Sequence, residues 1–191
     1  MFFKTELKTM LKEEFELYKN NLYEEYAKVL AENLLIPFHD ALERSENQIE
    51  EILKEESSNK KNQGYNITVN DNFAGRMWVF VDYKRKNAFI YDIRIFSKYQ
   101  NKGYAKNAII ELEDKLKQEN IKTLGLNVFG NNKVAYNLYK SLGFQEKYIS
   151  LMKGFQKQKV ITLPKYLKFL QTLLQKLGYQ VVAIEMKKKL K

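Results

Sequence analysis

The hydrophobic period switches repeatedly along the chain, and those switches outline its elements. Phe3, Thr5 and Leu7 alternate loosely over residues 2–8, which predicts a first strand. From Lys12 the apolar positions Phe15, Tyr18, Leu22, Tyr26 and Leu30 follow helical spacing, and Pro37 interrupts them. A second helix is expected over Ala41 to Glu56, on Leu42, Ile49, Ile52 and Leu53. The polar run from Ser57 to Gly64 reads as a loop, followed by strands over Tyr65–Val69 and Arg76–Tyr83. Asp71 to Gly75 is the turn between those two strands, and Tyr83 to Asn87 turns into the next one.

Residues 87–96 form the expected central strand, with Ile90, Asp92, Arg94 and Phe96 on one side and Phe89, Tyr91, Ile93 and Ile95 on the other. A polar segment then leads into a helix carrying Ala105, Ala108, Ile109, Leu112 and Leu116. Leu124, Leu126 and Val128 alternate as a strand. Gly130-Asn131-Asn132 then turns into a helix with Ala135, Leu138, Tyr139 and Leu142 on one face. Gly143-Phe144 ends that helix, and Glu146 to Met152 reads as a closing strand pair. Strand, helices, three strands, helix, strand, helix and a final strand or two suit a mixed α/β sheet with helices on both faces.

Composition narrows the chemistry. At 191 residues the chain holds one domain with a real core, with room for an appendage. It has no cysteine, so disulfides, thiolate metal sites and an acyl-cysteine intermediate are excluded. A single histidine, His39, leaves no basis for a histidine metal cluster or a Ser-His-Asp triad. No uncharged run approaches ~18 residues, so no membrane span is expected. Met1-Phe2-Phe3-Lys4 leads straight into charged sequence, which does not fit a signal peptide, and a cytoplasmic location is expected.

The net charge of +10 is unevenly placed. Residues 1–60 hold 8 Lys/Arg against 14 Asp/Glu, whereas residues 153–191 hold 10 against 1. The basic body is compatible with a polyanionic ligand, although most single lysines on such a surface are simply solvated.

Two motifs carry the functional signal. Gln100-x-x-Gly103-x-Ala105 sits where the central strand passes into a helix. Such a junction aims several backbone N–H groups at one spot, and Gly103 admits an anion where a Cβ would intrude. About thirty residues on stands Asn132-x-x-Ala135-x-x-x-Tyr139-x-x-x-Gly143-Phe144. In this order and separation the pair resembles the two signatures of the GNAT superfamily of N-acetyltransferases, over roughly residues 1–153.

That resemblance implies a mostly antiparallel α/β (α+β) sheet with splayed central strands, and acetyl-CoA as cosubstrate with no metal. It implies that the pantetheine arm pairs with strand backbone around Ile93 and Ile95. The pyrophosphate would take N–H groups from Gln100, Asn101, Lys102, Gly103, Tyr104 and Ala105. Lys102 would add a charge-assisted contact or be a solvated lysine; Asn132 would bond the cofactor, cap its own helix, or do both.

Tyr139 is the implied acid for the departing thiolate, since a phenol holds its proton at neutral pH; on residues alone it reads as a core aromatic. Asp92 is a candidate base, directly or through water. It reads equally as a partner of Arg94 or a surface residue, and Glu13, Glu14, Glu24 and Glu25 are weaker candidates. The leading reading is direct acetyl transfer to a primary amine in a ternary complex. A protein or peptide acceptor and a non-catalytic acyl-CoA-binding module are the alternatives. The acidic residues 1–60 would lie beside the acceptor and favour a cationic one, such as a polyamine, an aminoglycoside-like amine or a basic peptide. Nucleic acid and membrane are not expected partners.

Residues 154–191 read as an extension. Tyr166, Phe169, Leu170, Leu173, Leu174 and Leu177 make an amphipathic helix after Pro164, ended by Gly178, with a strand over Tyr179–Met186. At an offset of 35 it repeats the unit at 134–152, with Leu177-Gly178-Tyr179-Gln180 against Leu142-Gly143-Phe144-Gln145. Its leucine face is expected to pack on the chain's own sheet, with strand exchange in a homodimer as the other arrangement.

Overall fold

The computed structural model describes residues 4–54, 60–152, 161–176 and 180–190. Among them are eight strands and five helices, and the strands belong to a mixed sheet, as the sequence pattern predicts. In chain order they are β1 (Thr5–Thr9), α1 (Lys12–Leu34), α2 (Phe38–Lys54), β2 (Lys60–Val69), β3 (Asn72–Asp82) and β4 (Asn87–Ile95). There follow α3 (Tyr104–Gln118), β5 (Thr123–Phe129), α4 (Lys133–Ser141), β6 (Gln145–Met152), β7 (Ile161–Pro164), α5 (Lys168–Lys176) and β8 (Gln180–Lys189). The chain divides into two compact units.

The first unit comprises Met1–Tyr18, Leu53–Leu126 and Lys188–Lys191. Strands β1 to β4 form an antiparallel meander, and α3 carries the chain to β5, which pairs parallel with β4. The parallel ladder runs from Asn87↔Thr123 to Ile90↔Leu126, whereas β4 itself continues to Ile95. Met77, Val79, Val81, Ile109, Leu112 and Leu124 are fully buried.

Strand β2 starts at Lys60, inside the segment read from sequence as a loop. Two of its polar side chains are bonded to β3 and to the residue after it. The Trp78 indole donates to Asn62 Oδ1 at 2.9 Å, and Gln63 donates to the Tyr83 hydroxyl at 3.1 Å. Pairing with β3 from Lys60↔Asp82 onward outweighs the low apolar content. The turn between β2 and β3 is correspondingly tighter than expected: Asn70 and Asp71 take left-handed φ of 47° and 61°, and β3 begins at Asn72.

Strict alternation also fails in β4, for a local reason. Trp78 pairs with Asp92 and Val79 with Ile90, so Tyr91 is an extra residue on β4, a β-bulge. The bulge shifts the phase of the strand. Ile90 and Ile95, assigned to opposite faces by a period of two, are both buried, and Tyr91 is exposed beside Trp78 at a 5.0 Å ring separation.

The second unit comprises Lys19–Ile52 and Asn127–Lys187. Helices α1 and α2 meet over Ala27, Leu30 and Ala41, with Tyr26, Leu34 and Phe129 packed around them. Small residues at the crossing let the helices approach closely, and the buried Ser45 hydroxyl donates to the Tyr23 carbonyl at 2.8 Å.

In the same unit β6 is flanked on one side by β7 and on the other by β8, both antiparallel. The strand that the sequence reading places in an extension is thus an interior neighbour of β6, and Gly130 N–H donates to the Val182 carbonyl on its other side. Helices α4 and α5 are each nine residues long and begin 35 positions apart, as do β6 and β8. Ile149 and Ile184, themselves 35 positions apart, face each other across the β6–β8 ladder. Leu177, Gly178 and Tyr179 lie outside the described residues. Leu174 packs with Ile149, Leu163, Val181 and Ile184, while Leu167, Leu170 and Leu173 are exposed. Among the described residues no helix is long and apolar enough to cross a membrane.

Candidate functional site

The first unit brings most of the sequence-predicted residues onto one continuous run. Ile93 and Ile95 lie at the end of β4; Ile95 is buried, Ile93 partly so. A short 3-10 turn, Ser97–Tyr99, follows, and the chain then enters α3 through Gln100, Asn101, Lys102 and Gly103. The Gln100 amide donates to the Ile95 carbonyl at 2.8 Å, tying the loop back to the strand. Asn101 and Gly103 both take left-handed conformations, with φ of 59° and 81°. Gly103 is the N-cap of α3 and so supplies no side chain to its first turn.

That arrangement leaves the helix opening unusually bare. The amides of Ala105 and Lys106 have no carbonyl four residues back within the helix, and the cap has no side-chain acceptor. A Cβ at Gly103 would meet no heavy atom within 4 Å, so glycine is required by φ and not by crowding from the protein. The space beside the amides is open. Lys102 folds its ammonium onto the Lys98 carbonyl at 3.0 Å, and Lys98 lies over the Tyr99 ring. Tyr104 is buried with its ring 6.3 Å from Tyr99, Ala105 is half-buried, and Asn101 is exposed. Oriented N–H groups, the positive end of α3 and nearby lysines suit a phosphate-bearing ligand.

Asp92, on β4 next to the bulge, accepts a hydrogen bond from the Tyr18 hydroxyl at 2.6 Å. Burial pushes the Tyr18 phenol well above its ordinary value, and the charge and hydrogen bond of Asp92 add to the rise; Arg76 and Arg94 pull the other way. The phenol therefore stays a donor and fixes the carboxylate. The Arg76 guanidinium stacks over the rings of Tyr18 and Phe96, at 5.1 and 5.7 Å to the centroids. Sequence reasoning missed Tyr18 and Arg76. Tyr18 fits the apolar stripe of α1, and nothing in the pattern links it to a carboxylate 74 residues away.

Asn132 and Tyr139 belong to the second unit, on α4. Asn132 is the N-cap, and its Oδ1 accepts from Ala135 N–H at 3.0 Å. Tyr139, seven residues on along the same helix face, is buried with its ring 5.9 Å from Phe144. Phe144 N–H donates to the Tyr139 carbonyl as the helix ends at Gly143, whose φ is 89°. The unit also holds a group that the sequence did not flag: the Tyr136 hydroxyl donates to Glu146, which lies 3.5 Å from the Lys165 ammonium. Among the described residues, no group of three or more His, Cys, Asp or Glu side chains is placed to hold a metal ion.

Residues 20–144 match the family described as the acetyltransferase (GNAT) family. An uncharacterized N-acetyltransferase of Bacillus subtilis strain 168, YdgE, is 28% identical over 151 residues, covering 77% of this chain and 96% of that protein. The crystal structure of a second uncharacterized N-acetyltransferase of Bacillus subtilis, YycN, superposes with a TM-score of 0.67 at 26% identity, covering 83% of this chain and 99% of that one. At 16% identity the likeness to a Vibrio cholerae spermidine N-acetyltransferase, solved with CoA and spermine, concerns the fold alone; its TM-score is 0.57, with 97% and 95% of the two chains covered. The chain belongs to the GNAT family of acetyltransferases.

Proposed function

We propose that the protein transfers the acetyl group of acetyl-CoA to a primary amine by direct attack in a ternary complex. The observation that carries the reading is the turn at the end of β4, where left-handed Asn101 and Gly103 open α3 without a capping side chain. A polyanionic nucleotide fits it: the pyrophosphate is held by the N–H groups of residues 100–105 and the pantetheine arm by backbone around Ile93 and Ile95. Family membership supports the same cosubstrate, and relatives of this fold have been solved with CoA.

In the reaction the amine nitrogen forms a bond to the thioester carbonyl carbon and the C–S bond breaks. Tyr139 gives its proton to the departing thiolate, and the amine proton passes to Asp92, directly or through water. Tyr18 holds the Asp92 carboxylate in place for that step. Asn132 orients the cosubstrate in addition to capping α4. With no cysteine in the chain, an acetyl-cysteine intermediate is excluded. The 14 acidic residues among the first 60 favour a cationic acceptor, an amine or a basic peptide.

The test is thiol release from acetyl-CoA against a panel of polyamines, aminoglycosides, neutral amines and basic peptides. Turnover with at least one cationic amine, falling as salt rises, supports the assignment. If CoA binds by calorimetry but no acceptor in the panel releases thiol, the protein is an acyl-CoA-binding module instead. Equal turnover of neutral and polycationic amines removes the cationic acceptor.

A further inference from the structure

The second unit contains a cavity of about 490 Å³ between α4, α5 and the strands β6 and β8. Its size is within the range of small-molecule sites. The walls divide by chemistry. Phe129, Ile149, Val181 and Ile184 supply apolar surface, whereas Lys133, Lys165 and Lys168 place three ammonium groups around it. Asn137 and Gln171 add amide groups.

Glu146, the acid in the lining, offsets the Lys165 charge and leaves those of Lys133 and Lys168. Glu146 already accepts from Tyr136 and lies against Lys165. Burial favours its protonated form, but the Tyr136 hydrogen bond and the Lys165 and Lys140 charges outweigh that and hold it below the usual carboxylate range. Glu146 is thus an anion with its own partners. Lys133 and Lys168 form no ion pair among the described residues.

We propose that this cavity binds a small organic anion with an apolar body, such as a medium-chain carboxylate or an alkyl phosphate. The chain lies on the Phe129–Ile149–Ile184 surface and the anionic head is held by Lys168 and Lys133. The charge balance of the lining selects against a cation, and the apolar wall selects against a bare inorganic ion. A carboxylate and a phosphate ester share this chemistry, so the experiment has an arm for each. Binding alone is measured, which separates this site from the acetyl-transfer reading.

Calorimetry with octanoate and with octyl phosphate on the full chain tests it, alongside octanol, octylamine and inorganic phosphate. Saturable binding of either octyl anion is expected, at least ten-fold tighter than any of the three controls, and unaltered by saturating CoA. Lys168→Glu, on an exposed position, should weaken it ten-fold or more. Thr172→Trp, which leaves every charge in place and fills the cavity, should abolish it. Circular dichroism confirms that both variants are folded. The proposal is overturned if neither anion binds, if octanol or inorganic phosphate binds as tightly, if both variants bind like the wild type, or if CoA displaces the anion.

Discussion

Two strand-to-helix junctions, β4 into α3 and β5 into α4, have opposite caps. At the first the N-cap is Gly103, left-handed and without a side chain. At the second it is Asn132, whose carbonyl oxygen accepts the Ala135 N–H of its own helix. The first junction leaves its helix-opening donors without a capping side chain; the second satisfies one of its own internally. A helix terminus binds an anion only if its donors are not already engaged, so cap chemistry separates an anion site from an ordinary helix start. The same difference predicts how each junction responds to mutation.

The largest effect is expected at Gly103. Replacing it with Glu places a carboxylate in the open space beside the α3 amides and forces a non-glycine residue to φ 81°. CoA affinity measured by calorimetry should fall by a factor of at least about 100, because the new charge would repel the phosphates that the proposed site holds against the amides. The left-handed backbone itself costs roughly 1–2 kcal/mol for such a residue, so the variant should remain folded with a lowered Tm. Gly103→Asn sharpens the point: Asn tolerates this conformation and carries no charge, but it brings a capping oxygen of the kind Asn132 uses, so it should lower the affinity, by less than Glu does. If Glu and Asn variants bind CoA as the wild type does, the difference between the junctions has no bearing on the ligand.

Tyr139→Phe probes the second junction's helix without touching its cap. Loss of a general acid should lower kcat by about 100-fold or more. CoA affinity should be unchanged, since the ring and its contact with Phe144 are kept. Unchanged turnover would return Tyr139 to the role of a core aromatic. Tyr18→Phe in the first unit removes the donor to Asp92. It should cost about 1.5–3 kcal/mol of stability by chemical denaturation, the usual range for a hydrogen bond to a charged group, and reduce kcat with a smaller change in CoA affinity. A variant as stable and as active as the wild type would remove Tyr18 from the site.

Much of this contrast is legible in the sequence, because it is local. Gly103 ahead of the apolar run Ala108, Ile109 and Leu112 marks a helix start that lacks a capping side chain, and Asn132 ahead of Ala135 and Tyr139 marks one that has it. Element types follow from periodicity for the same reason. The misread features are those set by distant partners. Asn62 and Gln63 are polar and loop-like until Trp78 and Tyr83 are known to bond them. The β4 bulge is a property of the β3–β4 register, which no single-strand pattern contains, and it alone explains why Ile90 and Ile95 are buried together. Tyr18 is an apolar-stripe residue in sequence and a carboxylate partner in space. The position of β8 beside β6 depends on pairing across the 27 residues between Met152 and Gln180, so the sequence delivers the strand but not its place.

Asn132 itself is expected to give the smaller effects, and these divide its two assignments. Asn132→Ala removes the cap and should cost about 1 kcal/mol, read as a lower Tm or denaturation midpoint. Asn132→Ser restores a capping oxygen and should recover that stability. The hydroxyl is shorter and offers no amide, so it should not recover a contact to the cosubstrate. If Asn132 only caps α4, the Ser variant matches the wild type in CoA affinity and turnover as well as in Tm. If it also orients the cosubstrate, the Ser variant is stable yet binds CoA several-fold more weakly, and affinity separates from stability across the three proteins. Affinity that tracks Tm through the series would assign the second junction to folding alone, and place all recognition of the nucleotide phosphates on the β4–α3 turn.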